Sequence, residues 1–230
     1  MTAADRAREV LRTLEGMGDR ARLEGMARYG IDTRHAVGVT VTELRRVARD
    51  LGRDHELAAV LWASGVHEAR ILASLVDEPS RVADPQMEAW VADLDSWDVC
   101  DQVCANLFDR TPFALDKALE WSARGPEFEK RAGFALMACA AVHRKDLSDD
   151  AFASLLPAIR EQATDERNYV KKAISWALRQ IGKRSVALNA EAIRTADQIA
   201  EMDGRAATWI ARDVLRELRS DAVQARLRRG

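Results

Sequence analysis

Trp97 and Asp101 stand four residues apart in LDSWDVCDQVCANLFDR, Leu94 to Arg110, a spacing that puts an indole and a carboxylate on one face of a helix. A carboxylate beside an indole has restricted hydration, which raises its pKa and also strengthens its action on a nearby cation. The same residues fit a plainer role, with Trp97 in the core and Asp101 paired with an arginine. A second cluster lies between Asn168 and Arg184, where Lys171, Lys172, Arg179, Lys183 and Arg184 occur without an Asp or Glu. Lys172, Trp176, Arg179 and Lys183 follow at steps of four, three and four and line one helical face. Val170, Ala173, Ile174, Ala177, Leu178 and Ile181 occupy the opposite side and account for packing. A large aromatic on a cationic face suits a polyanion with stacked rings, so nucleic acid is the first partner to consider.

Composition is less pointed. The chain has 35 basic and 37 acidic residues and a formal charge of −2, so a nucleic-acid surface requires charge segregated to one side. Cys100, Cys104 and Cys139 offer neither an even disulfide framework nor paired zinc spacing, and read as small core residues. His35, His55, His67 and His143 are scattered without HExxH, so no metal is expected. Neither GxxxxGK[ST] nor GxSxG occurs, which removes the usual handles for nucleotide hydrolysis and serine-hydrolase chemistry; no cofactor is expected. No apolar run approaches a membrane span and MTAADRAREV lacks a signal-peptide apolar region, so a cytosolic protein is expected; a monomer is the expected state, although no residue pattern speaks to it.

The elements that must position these residues are helices. Ala, Leu, Arg and Glu dominate, and Gly and Pro fall mostly between periodic stretches. The pattern predicts helices near 3–15, 20–28, 40–51, 55–63, 67–76, 85–94, 97–108, 112–123, 127–142, 149–162, 168–183, 189–202 and 205–218. Several begin with charge and turn small and apolar: HEARILASLV from His67, EKRAGFALMACA from Glu129, YVKKAISWALRQI from Tyr169 and GRAATWIARDVLREL from Gly204. Arg131 and Lys172 lie 41 residues apart, the length of a HEAT or armadillo hairpin repeat. The expected fold is all-α, a curved solenoid of HEAT-like antiparallel hairpins with a concave DNA-binding face. It is read as one domain, 1–230, with an N-terminal cap over 1–52, stacked repeats over 53–218 and a tail over 219–230. Trp62, Trp90, Trp121 and Trp209 sit among apolar neighbours and read as core. Lys171 and Arg184 lie off the stripe and read as surface charge, and His143 as a helix C-terminus interacting with the dipole.

Over most of its length the chain resembles the AlkD-like DNA alkylation repair glycosylases, which are built from HEAT-like repeats. The resemblance runs from MARYGIDTRHAVGVTVTELR (Met26 to Arg45) through SWDVCD (Ser96 to Asp101) and EKRAGFAL (Glu129 to Leu136) to YVKKAISWALRQ (Tyr169 to Gln180), in that order and spacing. It implies that Trp97 is an aromatic wall and Asp101 the catalytic carboxylate, with Trp176 the second wall. Arg131 and Arg179 would match basic positions of the family, and Lys172 and Lys183 would join them in neutralising phosphates. Tyr29 would approach DNA or pack beneath the first hairpin. The implied reaction is hydrolysis of the N-glycosidic bond of cationic N3- or N7-alkylpurines in duplex DNA, without a base-flipping pocket. Two other functions stand beside it: a DNA-structure-binding protein without glycosidic activity, and a protein-interaction scaffold. The scaffold leaves the basic stripe unexplained, since protein interfaces more often combine mixed charge with an apolar centre.

Overall fold

A computed structural model describes residues 2–229, all helix and connecting turns with no strand among the described residues. Contacts divide the chain into two compact units, Met1–Thr111 and Pro112–Gly230. The boundary falls inside the 53–218 segment that the repeat pattern reads as continuous.

The first unit contains α1 (Ala3–Met17), α2 (Arg20–Arg28), α3 (Val41–Leu51), α4 (His55–Ala63), α5 (His67–Val76), α6 (Asp84–Ala92) and α7 (Trp97–Asn106), followed by a 3₁₀ turn at Phe108–Arg110. Helices α1 and α3 begin with reciprocal caps, Thr2 with Asp5 and Thr40 with Glu43, each pair satisfying two otherwise orphaned amides. Helices α4 and α5 form a hairpin, and α5 also packs on α3 and α7. Leu57, Leu61 and Leu72 are fully buried there, each contributing roughly 1.5–3 kcal/mol through removal from water. Trp62 of α4 stacks on Trp90 of α6 with ring centroids 4.0 Å apart, both in the core as expected.

The loop before α3 is held by a buried charge. Glu68, only 1% exposed on the first turn of α5, accepts hydrogen bonds from the amides of Val37 (2.9 Å), Gly38 (2.7 Å) and Val39 (3.3 Å). Gly38 has φ +86°, and a Cβ there would lie 2.3 Å from the Asp19 carbonyl oxygen, so only glycine fits this crossing. The charged start of HEARILASLV is therefore internal on its Glu68 side, not a solvated face.

The second unit contains α8 (Ala114–Ser122), α9 (Glu127–His143), α10 (Asp149–Ala153), α11 (Leu156–Glu161), α12 (Asn168–Gly182), α13 (Val186–Ala200), α14 (Arg205–Leu218) and α15 (Asp221–Leu227). Helix α9 packs between α8 and α12, and α12 continues to α13 and α14, giving the successive hairpins of a HEAT-like array. Gly133 permits the closest approach: a Cβ there would stand 2.4 Å from the Ser122 amide nitrogen on α8.

Several expectations are corrected. The single helix over 149–162 is two, because Pro157 lacks an amide proton and its ring opposes a continuous helix through Ala153. The 219–230 tail contains α15, whose N-cap Ser220 accepts from Val223 and whose Gln224 donates to Asn189 (3.0 Å) and the Leu218 carbonyl (2.7 Å). Trp209 is 38% exposed rather than core, with the Lys171 ammonium 5.7 Å from its ring centroid. Arg184 is internal, not surface charge. Its guanidinium lies over Phe152 and donates to the carbonyls of Ala141 (3.1 Å) and Leu147 (2.5 Å). The three cysteines are buried, as expected of small core residues. No described helix is long and apolar enough to cross a membrane.

Candidate nucleic-acid interface

Trp97 opens α7 and Asp101 follows one turn later. Val99, Cys100, Val103 and Cys104 are buried, which anchors the helix and leaves Trp97 and Asp101 both part-exposed on another side. The Trp97 indole N–H donates to the Tyr29 carbonyl oxygen at 3.0 Å. That bond fixes the ring from the end of α2 and occupies its donor, so the indole offers a fixed ring surface. Tyr29 itself is 74% exposed, which is not a packed position beneath the first hairpin.

Ser96 occupies the N-cap position of α7, but its hydroxyl donates to the Asp98 carboxylate and makes no capping bond to an amide. Asp98 also meets His67 Nε2 at 2.9 Å. Burial alone lowers the His67 pKa, and the hydrogen bond and charge of Asp98, with Glu68 and Asp95, outweigh it and raise it. Burial likewise raises Asp98, and His67, Ser96 and the Val99 amide outweigh it and lower it. This pair ties α7 to α5 beside the Trp97 turn. Sequence spacing does not reveal it, because the partners are 31 residues apart on different helices.

In the second unit Arg131 is 5% exposed and donates to the Tyr169 carbonyl at 2.6 Å, linking α9 to the first turn of α12. On α12 the six apolar residues opposite the stripe are all buried, as expected. Lys172 is exposed and Trp176 part-exposed; neither has a hydrogen-bond or ion-pair partner among the described residues.

The distal half of the stripe is different. Arg179 meets Glu217 at 2.6 Å and Asp213 at 3.4 Å, and Lys183 meets Glu217 at 2.6 Å. Two cations thus face two carboxylates of α14, and the stripe that is free of acid along the chain is paired with acid in space at its distal end. Burial alone raises Glu217, while hydrogen bonds from Lys183 and Arg179 outweigh it and hold its pKa below the usual carboxylate range. A lowered carboxylate pKa stabilises the fold above its unfolded value, and that contribution fades as pH falls through the folded pKa.

The succession of packed hairpins defines a HEAT-like helical-repeat protein. The chain belongs to the DNA alkylation repair enzyme family, whose sequence model matches residues 10–218. A solved structure described as a new family of proteins related to the HEAT-like repeat DNA glycosylases, with affinity for branched DNA structures, is similar in fold. It shares 20% identity and has a TM-score of 0.77, covering 92% of this chain and 95% of that one. No curated protein matches the sequence.

Proposed function

We propose that the protein hydrolyses the N-glycosidic bond of N3- or N7-alkylated purines in duplex DNA. The observation that carries the reading is the α7 turn, where Trp97 is fixed by the Tyr29 carbonyl and Asp101 stands one turn beyond, in a chain of the alkylation-repair family. Alkylation at N3 or N7 makes the base cationic and already a good leaving group, so little general-acid help is needed. As the C1′–N bond breaks, its electron pair leaves with the base and positive charge develops on the sugar. Asp101 stabilises that charge and orients water, which attacks C1′ and releases a proton to the carboxylate or solvent. Trp97 gives aromatic contact to the cationic sugar and limits its hydration, and the family resemblance gives Trp176 the same role. Lys172, Arg179 and Lys183 serve the backbone, Lys172 with no internal partner among the described residues, and the exposed Tyr29 is a further DNA contact of the first unit; Arg131, buried against the Tyr169 carbonyl, holds α12 in place for them. The full chain in excess over methylated duplex DNA is expected to release N7-methylguanine or N3-methyladenine, measured by chromatography of the free base. No release under those single-turnover conditions rejects the reading and leaves DNA-structure binding as the function.

The ion pairs of α14 make a second prediction. Glu217→Gln removes the carboxylate shared by Arg179 and Lys183, so both become more available to phosphates. Binding to an unmodified duplex is expected to tighten and its log–log salt slope to steepen by about 1–2. A slope identical to the parent protein would take Arg179 and Lys183 off the DNA surface.

A further inference from the structure

Helix α3 carries a cationic surface that the proposed reaction does not use. Arg45, Arg46 and Arg49 are exposed and, with Thr42, Arg53 and Leu75 of α5, line an open groove of about 760 Å³. Arg45, Arg46 and Arg49 have no hydrogen-bond or ion-pair partner among the described residues. The acids of α3 are committed elsewhere. Glu43 is held by Arg22 at 2.7 Å and by the Thr40 hydroxyl at 2.7 Å, and Asp50 faces a separate depression with Arg6 and Glu9. No carboxylate lines the arginine groove. Arg53 donates to the Asp77 carbonyl just beyond α5 and so adds charge while bracing the wall.

Like charges at these helical spacings repel one another, and no carboxylate in the groove lining offsets that repulsion. An anionic ligand relieves that repulsion. We infer that the groove holds a stretch of the sugar-phosphate backbone of DNA, at a place lined by none of the residues assigned to the reaction. The inference rests on reading the protein as a DNA repair enzyme. Guanidinium forks match phosphate oxygens in pairs. Arg45 and Arg49 are four residues apart, about 6 Å along a helix, which compares with one phosphate per roughly 3.4 Å of axis on each strand. The polar lining is arginine guanidinium and the Thr42 hydroxyl, donors that suit phosphate oxygens. An acidic peptide fits less well, because the lining offers a single large apolar side chain as an anchor.

The test is titration of the full chain, carrying Arg45→Ala, Arg46→Ala and Arg49→Ala together, with a labelled unmodified duplex across a salt series. None of the three arginines has an internal partner, so the melting curve monitors folding and should stay close to the parent. Affinity at low salt is expected to fall about tenfold to a hundredfold, and the salt slope to flatten by about 2–3. The matching Arg→Lys triple is expected to recover most of the slope. Unchanged affinity and slope overturn the inference, as does loss of binding to polyglutamate without loss of binding to DNA. Because the DNA is unmodified, the result does not depend on base release. An inactive protein that loses its slope supports the groove and rejects the glycosylase, whereas an active one with an unchanged slope does the reverse.

Discussion

Asp101→Asn is expected to slow single-turnover release of an N3- or N7-alkylpurine by about 10²–10³-fold, with affinity for the same DNA changed less than about threefold. Asparagine nearly preserves the volume of the side chain, so a change of rate reports the lost charge rather than a lost fit. The charge matters because the substrate begins with its positive charge on the base and ends the bond-breaking step with it on the sugar. A fixed carboxylate near C1′ acts on that redistribution, whereas phosphate contacts hold substrate and transition state about equally. Saturating enzyme removes binding from the measurement, and a single turnover removes product release. A parent-like rate would leave Asp101 a structural residue of α7, and a large loss of affinity with an unchanged rate would make it a DNA contact. Trp97 is held by the Tyr29 carbonyl and should keep its place in the variant.

The helices were legible to within a few residues because apolar periodicity and polar caps report local geometry and burial together. Helix α12 shows this most clearly: its six predicted packing residues are all buried, and Lys172 and Trp176 lie away from them. What periodicity does not report is which neighbour a polar side chain finds. Arg179 and Lys183 looked free because no acid is near them in the chain, yet Glu217 and Asp213 reach them from the next hairpin. Arg184, two positions beyond the helix, looked solvated and instead donates to two carbonyls. Pairing of this kind depends on the register between helices. The break at Pro157 and the α15 helix were missed for local reasons: a proline early in a helix is compatible with either reading, and α15 spans only seven residues. For the candidate site, the α7 turn was legible as a spacing, but its fixing by the Tyr29 carbonyl and its tie to His67 through Asp98 were not.

Glu68→Ala is expected to destabilise the first unit by about 3–5 kcal/mol, the range for removing one partner of a buried charge interaction. The carboxylate accepts from three successive amides, Val37, Gly38 and Val39, within the fold. Alanine leaves those donors without their carboxylate acceptor, and it also opens space where the side chain stood. Glu68→Gln retains one carbonyl oxygen but turns an N–H₂ group toward donors, so it should recover only part of the loss. The effect is local in origin, so hydrogen exchange should quicken first at the Val37, Gly38 and Val39 amides. Denaturant unfolding should show a lower midpoint with little change of slope. The loop held by Glu68 lies between α2, whose end positions the Tyr29 carbonyl, and α3, which presents the arginine groove. Loosening it should therefore also weaken binding to unmodified DNA, and the Gln variant should fall between the parent and Ala. Retained amide protection in Glu68→Ala would show that the neighbouring packing, including the Gly38 crossing over Asp19, holds this loop without the charge.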